Sequence, residues 1–582
     1  MMNLPLQFMV RRLPSVLTHR VDVHVDGPPP SMVLKCDPGA ILEWIYPLNH
    51  SKRDYQYNIV RKALFDNTLV ALPTGLGKTF VAGVIMLNYY RWFPRGKIVF
   101  LAPTKPLVAQ QIEASHQTCG IPGTDAAELT GMVKDEKRAE LWKTKRVFYL
   151  TPQTFVNDLR RLPDLASQIV LIVIDEAHRA TGAYAYATAV RDMMILNPHH
   201  RILALTATPG STRDAVQAVV DSMHISHIEI RDENALDLRE YVHRKHLQQY
   251  TVELPQRIAE INNAIIKLME KLVPGVGQFV PGADMRTMSE YRPLAAMKNL
   301  GPGDRWAFGP LSNLSALARA REYLVRASTR SLNRENGKPK HAQKKLAAEP
   351  AFKEIMELFR KRKGESTGGM IHPKMDRLRS LLLEYFLNQQ EAAADVGEGG
   401  SEEARRKESK VMVFASFRNA VEQIVDYLNF DSPLIRAHRF IGQATNKEGR
   451  KGLKQKDQLK VVEDFKQGVF NTLVCTSIGE EGLDIGEVDF IVCYDSHKAP
   501  IKMLQRIGRT GRKKDGHIAV LVAEGKEETN FAKAKEAYNT VQQNILRGDL
   551  IELYTDVPRL LPQTARPEAK EMVMPIIGYV KD

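Results

Sequence analysis

The sequence predicts an α/β protein with two parallel-sheet units and a mostly helical segment between them. Three observations predict it. Short apolar runs alternate with helical stretches in the first half, at Thr68–Leu72, Lys97–Leu101, Arg146–Leu150, Val170–Ile174 and Arg201–Leu205. The same alternation returns at Val411–Phe414, Thr472–Cys475, Phe490–Cys493 and Ile518–Val522. Between the two sets, Leu254, Ile258, Ile261, Ile265, Leu268 and Leu272 fall at spacings of four and three, one face of an amphipathic helix. Strands apolar on both faces and separated by helices belong in parallel sheets covered on both sides.

At 582 residues the chain is long enough for several domains. We divide it into an N-terminal extension (1–43), a first α/β unit (44–244), a helical insert (245–368), a second α/β unit (369–545) and a C-terminal tail (546–582). The first twenty residues carry Arg11, Arg12 and Arg20 and no acid, a composition like that of a mitochondrial transit peptide. Pro5 and Pro14 interrupt the helix such a peptide needs, so a poorly ordered extension is expected. In the insert, Gly/Pro-rich stretches at 274–281 and 301–303 break the pattern, and helix is expected again around 316–326 and 351–361. The run "NGKPKHAQKK" reads equally as a solvated loop or as a DNA contact or nuclear import signal. Residues 389–409, acidic and of low complexity, are expected to form a flexible loop.

Composition narrows the function classes. The chain is 43% hydrophobic and 26% charged, enough apolar material for sizeable cores. No apolar run approaches the ~18 residues of a membrane span. Cys36, Cys119, Cys475 and Cys493 are scattered without a C-x-x-C pair, which argues against a disulfide framework or a zinc cluster and fits a reducing compartment. A net charge of +14 and a pI near 9.3 favour a polyanionic partner, nucleic acid being the commonest in a cell.

The strand Thr68–Leu72 runs into "PTGLGKTF". Gly75 and Gly77 let backbone amides approach phosphate, Lys78 reaches the β- and γ-phosphates, and Thr79 is placed to ligate Mg²⁺. Leu72, Pro73, Thr74 and Leu76 complete the loop, and a helix from about Phe80 to Leu87 would present its N-terminus to the anion. The usual first glycine of such a loop is replaced by Leu72.

The segment "QIVLIVIDEAHRATGAYAY" ends a buried run in two carboxylates. In a parallel sheet, functional residues project at the carboxyl ends of strands. Asp175 and Glu176 therefore belong beside the phosphate loop, Asp175 to hold Mg²⁺ and Glu176 to polarise the attacking water. In the second unit, "QRIGRTGR" sets Arg506, Arg509 and Arg512 three residues apart, with Gln505 ahead of them. Guanidinium groups there would stabilise a phosphoryl transition state formed on the other unit.

In order, the chain also contains "RDYQYNIV", "APTKPLVAQQ", "TPQT", "TAT", "VFASFRNA" and "TSIGEEGLDI". With the phosphate loop, "DEAH" and "QRIGRTGR", this set resembles the superfamily-2 helicases. "DEAHRATGAYAY", "HPKMDRL" and "TSIGEEGLDIGEVD" resemble the Fanconi anaemia group M / Hef family, closest to its fungal 3′-to-5′ fork-repair helicases. The resemblance implies two RecA-like domains with a helical insert and ATP- and Mg²⁺-dependent movement on branched or single-stranded DNA. It also implies a nuclear location, with histone-fold or other repair-protein partners. By the same resemblance, Gln56 reads adenine with Arg53 and Tyr55, and Thr206 and Thr208 couple hydrolysis to movement. Gly482 and Asp484 contact nucleotide, Gln505 sits near the γ-phosphate, and Arg509 and Arg512 are the fingers. His178 bridges the ATP site to the second domain, a packed core histidine being the plainer reading. The DNA-facing positions are Thr104, Lys105, Thr151, Ser416, Arg418 and Thr476.

The insert is shorter than in the fungal members. The chain ends soon after the second unit, without room for a nuclease module or a partner-recruiting tail, and a truncated gene product is one reading left open. Two other readings stay open: a double-stranded-RNA-dependent ATPase of the RIG-I or Dicer helicase type, and an ATP-gated DNA-binding scaffold without catalysis.

Overall fold

Two parallel sheets carry the molecule, and each begins from the apolar runs named above. The computed structural model describes residues 34–210, 212–233, 235–326, 349–360, 372–395, 409–442, 452–479, 485–495, 506, 508–511, 515–547 and 551–579. The first sheet has seven strands: β2 (Thr68–Ala71), β3 (Lys97–Leu101), β4 (Ala126–Leu129), β5 (Val147–Leu150), β6 (Ile169–Ile174), β7 (Arg201–Thr206) and β8 (His227–Ile230). Their order is β4-β5-β3-β6-β7-β2-β8, all neighbours parallel. The second has six: β9 (Lys245–Val252), β10 (Val411–Phe414), β11 (Ala437–Phe440), β12 (Thr472–Cys475), β13 (Phe490–Cys493) and β14 (Gly516–Ala523). Their order, β11-β12-β10-β13-β14-β9, repeats the first sheet with β13 in the place of β6.

Alternation explains why the strands are continuously apolar. Ile98 and Phe100 enter the core on one face of the first sheet, while Val99 and Leu101 enter the core on the other. Val411 and Val413, against Met412 and Phe414, do the same in the second. The helix Lys78–Trp92 is buried from Val81 to Tyr89, lying between the first sheet and further covering elements.

Three expectations are corrected. Residues 245–252, expected to open the insert, form the edge strand β9, paired with β14 from Lys245↔Gly516 to Val252↔Ala523. The insert's helices start at Gln256 and share a core of their own, with Ile258, Ile261, Ile265 and Leu268 against Leu311, Leu314 and Ile355. Residues 389–395, expected in a loop, continue the helix Pro373–Asp395, because Gln, Glu and Ala are good helix formers. That helix is pinned by Lys374, whose fully buried Nζ donates to Glu527 at 2.6 Å and to the carbonyls of Tyr494 and Leu521.

The third concerns the tail. After the helix Lys526–Arg547, residues 551–579 return across the first sheet. Tyr554 N bonds Ile225 O at 3.0 Å, and Pro558 O accepts from Arg201 at 3.0 Å. Leu560, Leu561 and Ala565 join the first core, each leucine contributing about 1.5–3 kcal/mol by burial. The tail ends in β15 (Glu568–Met572), parallel to β1 (Glu43–Pro47). Of the N-terminal extension, Leu34, Cys36 and Ile41 pack on the same core. The basic run 336–345 and residues 1–33, which include the Arg-bearing first twenty, lie outside the described residues. Among the described residues, no helix is long and apolar enough to cross a membrane.

Candidate active site and nucleic-acid edge

The strands that end in the nucleotide-type motifs, β6, β7 and β2, are neighbours. Leu72, where a glycine was expected, extends the pairing of β2 through its N–H to Thr206 O at 3.1 Å and is fully buried. Gly75 and Gly77 have φ of 90° and 77°, which glycine adopts without strain. A Cβ on Gly77 would also strike the Gln56 amide. Tyr55 Oη and Gln56 Nε2 both donate to Leu76 O, at 2.9 and 3.1 Å, so the expected adenine-reading segment holds the loop from behind. Arg53 donates to Tyr55 Oη at 3.2 Å and stacks over Tyr241. Lys78 Nζ, aimed back at the loop, donates to the carbonyls of Leu72 and Pro73 at 2.7 and 3.2 Å.

The Asp175 carboxylate is 8% exposed. Burial pushes its pKa up to about 7, the adjacent Glu176 carboxylate adds to the shift, and Lys78 opposes it. Gln111 Nε2 donates to it at 3.2 Å, and Gln111 Oε1 accepts from Thr79 Oγ1 at 2.8 Å. Tyr186 Oη fixes the backbone below by donating to Asp175 O at 2.7 Å. Glu176 sits at φ 52°, a left-handed conformation that costs a side-chain-bearing residue strain. Its Oε2 is buried without a hydrogen bond and lies 3.3 Å from His178 Nδ1. The Thr206 hydroxyl donates to Thr208 O at 2.7 Å, so His178 Nδ1, 3.1 Å from Thr206 Oγ1, must be the donor in that pair. Burial lowers the His178 pKa, against the opposing pull of the Glu176 carboxylate. The Thr208 hydroxyl is buried without a hydrogen-bond partner among the described residues.

The opposite wall of the cleft comes from the segment between the sheets and from the second sheet. Pro73, Thr74, Gly75 and Leu76 face Glu233, Tyr241, Val242, Lys245 and Gly511. Lys245 pairs with Glu233. Arg509 is buried two residues before Gly511. Gln505, Arg512, Gly482 and Asp484 lie outside the described residues. Arg506, read as part of the arginine series, is instead buried against Asp495, 3.6 Å from its Oδ1, and donates to Asp495 O at 3.1 Å.

The expected nucleic-acid positions occupy the other half of each sheet. Thr104 and Lys105 follow β3 and Thr151 follows β5, its neighbour. Ser416 and Arg418 follow β10 and Thr476 follows β12, again neighbours. Arg418 is anchored on Gly442 O at 3.2 Å. Ser416 is turned inward, its hydroxyl donating to Asp495 at 2.6 Å. Thr476 is buried, with its N–H on Phe440 O.

Sequence reasoning missed several neighbours. Gln111 lay inside a quoted motif without a role. Tyr241 carries no motif, and only the fold brings it to Arg53. The loop after β4, with Met132 84% exposed and Lys134, extends the same edge beyond β5.

Comparisons with known proteins bear on this arrangement. A family model described as "Type III restriction enzyme, res subunit" matches residues 49–211, and one described as "Helicase conserved C-terminal domain" matches 397–514. The crystal structure of the Pyrococcus furiosus Hef helicase domain is 30% identical, covers 83% of this chain and 98% of that one, and superposes with a TM-score of 0.58. The chain belongs to the Fanconi anaemia group M / Hef family of superfamily-2 helicases. Fungal relatives agree. The "ATP-dependent DNA helicase MPH1" of Coccidioides immitis is 42% identical over 92% of this chain and 50% of its own length. That of Aspergillus fumigatus is 41% identical over 97% and 53%. This Hef-type chain thus spans about half the length of the curated relatives it matches. The expected pair of RecA-like sheets is the fold of that family.

Proposed function

We propose that this chain is the motor of an ATP-dependent DNA helicase or translocase that remodels branched DNA in genome repair. The cleft supports this reading most directly: the phosphate loop of the first sheet faces Gly511 in the arginine-bearing segment of the second. A nucleotide held there would touch both sheets, so hydrolysis and relative movement would be coupled. Lys78 would exchange its two carbonyl partners for the β- and γ-phosphates. Thr79 and Asp175 fit a magnesium ion, because the raised Asp175 pKa marks a buried carboxylate short of positive charge. Magnesium bound there would neutralise charge developing on the transferred phosphoryl group.

Glu176, with an oxygen lacking a hydrogen bond, would orient the attacking water. Arg509 and Arg512 would stabilise the transition state, with Gln505 beside the γ-phosphate and Gly482 and Asp484 on the nucleotide's second side. His178, Thr206 and Thr208 would pass the state of the site to the neighbouring sheet. The separation of motif sets within each sheet supports simultaneous occupancy: nucleotide on β6-β7-β2, DNA backbone on β3-β5 and β10-β12. The basic surplus agrees, and the named relatives are DNA helicases, which favours DNA over double-stranded RNA. Nuclear residence, branched-DNA preference, 3′-to-5′ direction and repair-protein partners belong to the same proposal.

The test is ATP turnover with single-stranded DNA, forked DNA and double-stranded RNA. DNA should stimulate; stimulation by RNA alone would overturn the reading. Lys78→Ala should lose nucleotide binding. Glu176→Gln should bind nucleotide normally while turnover falls about 10³-fold. A Glu176→Gln protein with the wild-type rate would remove Glu176 from its role.

A further inference from the structure

One side chain joins the two oxygens assigned to magnesium. Thr79 lies in the helix Lys78–Trp92 and Asp175 at the end of β6. Gln111 accepts from the first at 2.8 Å and donates to the second at 3.2 Å. It is 7% exposed, so water offers its amide little alternative. A hydroxyl that ligates a cation must point its proton elsewhere, and Gln111 Oε1 is that acceptor. A carboxylate that ligates through one oxygen needs its plane fixed, and Gln111 Nε2 holds Asp175 Oδ2. Partners of this kind orient metal ligands, and losing one typically costs 10–100-fold in metal affinity.

The position of Gln111 adds a second consequence. It lies on the helix Lys105–Cys119, whose first turn holds the Thr104–Lys105 edge. Six residues along a helix span about 9 Å. The same rigid element therefore touches both the proposed DNA edge and the proposed magnesium site. We propose that Gln111 is a positioning residue for the divalent cation, and that its helix carries DNA occupancy to the metal. The inference rests on the ATP-site and DNA-edge reading above.

The experiment measures binding of a fluorescent ADP analogue across a magnesium titration, with and without a single-stranded oligonucleotide. Gln111→Met keeps the length of the side chain and removes both hydrogen bonds. Its metal-free nucleotide affinity should match wild type, while the magnesium midpoint rises 10–100-fold. The oligonucleotide should shift the midpoint in wild type and not in Gln111→Met. A wild-type midpoint in Gln111→Met overturns the positioning role. So does a loss of metal-free binding, which would assign Gln111 to packing. An oligonucleotide without effect on the wild-type midpoint overturns the link to DNA. Wild-type protein that binds no nucleotide at all would instead sink the ATP-driven reading, a failure visible before any variant is made.

Discussion

Asp175 and Asp495 occupy corresponding places in the two sheets, and they are used in opposite ways. Asp175 follows β6 directly; Asp495 lies two residues beyond β13, the equivalent strand of the second sheet. Both are buried, at 8% and 0% exposure. Asp495 is enclosed by donors: Ser416 N at 2.7 Å, Ser416 Oγ at 2.6 Å and the Arg506 guanidinium at 3.6 Å. Asp175 receives two neutral donors, Glu176 N at 3.0 Å and Gln111 Nε2 at 3.2 Å, beside a second carboxylate. A buried charge neutralised by its own protein is a pin. One left under-neutralised is a place for a cation. The duplicated fold thus keeps the position and reassigns its chemistry.

Paired substitutions sharpen or break this contrast. The largest expected effect is on turnover: Asp175→Asn should lower ATP hydrolysis about 10³-fold, since metal stabilisation is worth several kcal/mol. Its metal-free fold should nonetheless be at least as stable as wild type in urea at pH 8. Asp495→Asn should do the reverse, destabilising the fold by about 3–5 kcal/mol by breaking a buried charge pair. Its hydrolysis should then fall only as folded protein is lost. If both variants destabilise equally, Asp175 is a structural pin as well and the contrast fails.

The smaller effect is the pH dependence. The folded Asp175 pKa, about 7, lies above the roughly 3.9 of an unfolded aspartate. Its contribution to stability is therefore fully present below about pH 4 and is lost as pH rises through 7. Metal-free wild type should lose on the order of 2–4 kcal/mol relative to Asp175→Asn between pH 5 and 8. Parallel urea midpoints for the two proteins across that range would count against an under-neutralised carboxylate.

Much of the site was legible because its chemistry needs particular residue types at fixed spacing. Gly75, Gly77, Lys78, Thr79, Asp175 and Glu176 stand together at the ends of β2 and β6, as expected of a phosphate loop and a carboxylate pair. The fold class was legible for a related reason. A strand covered on both faces must be apolar throughout, so β3, β6, β10 and β13 announce themselves in four to six residues.

The strands that went unread lie at the margins. β4, β8, β9 and β11 are the sheet edges, and β1 and β15 form a pair of their own. Edge strands keep water on one side and carry mixed residues, such as "HIEI", "AHRF" and "KHLQQYTV", which no local pattern separates from loop. Their pairing depends on what lies beside them. β9 becomes a strand because β14 offers it an unpaired edge across 271 positions of sequence, from Lys245 to Gly516. The returning tail is similar: Leu560 and Leu561 have no periodic partner nearby and acquire meaning only against the first core. The sequence by itself determined the central strands, the loops at their ends and the residue types those loops bring together, because each is a local demand on residue type. Tertiary structure alone decided the edges, the returning tail, Gln111 between Thr79 and Asp175, and the division between a donor-enclosed and an under-neutralised aspartate. Each of these depends on which distant groups share a buried volume, and burial is a property of the packed chain rather than of any segment.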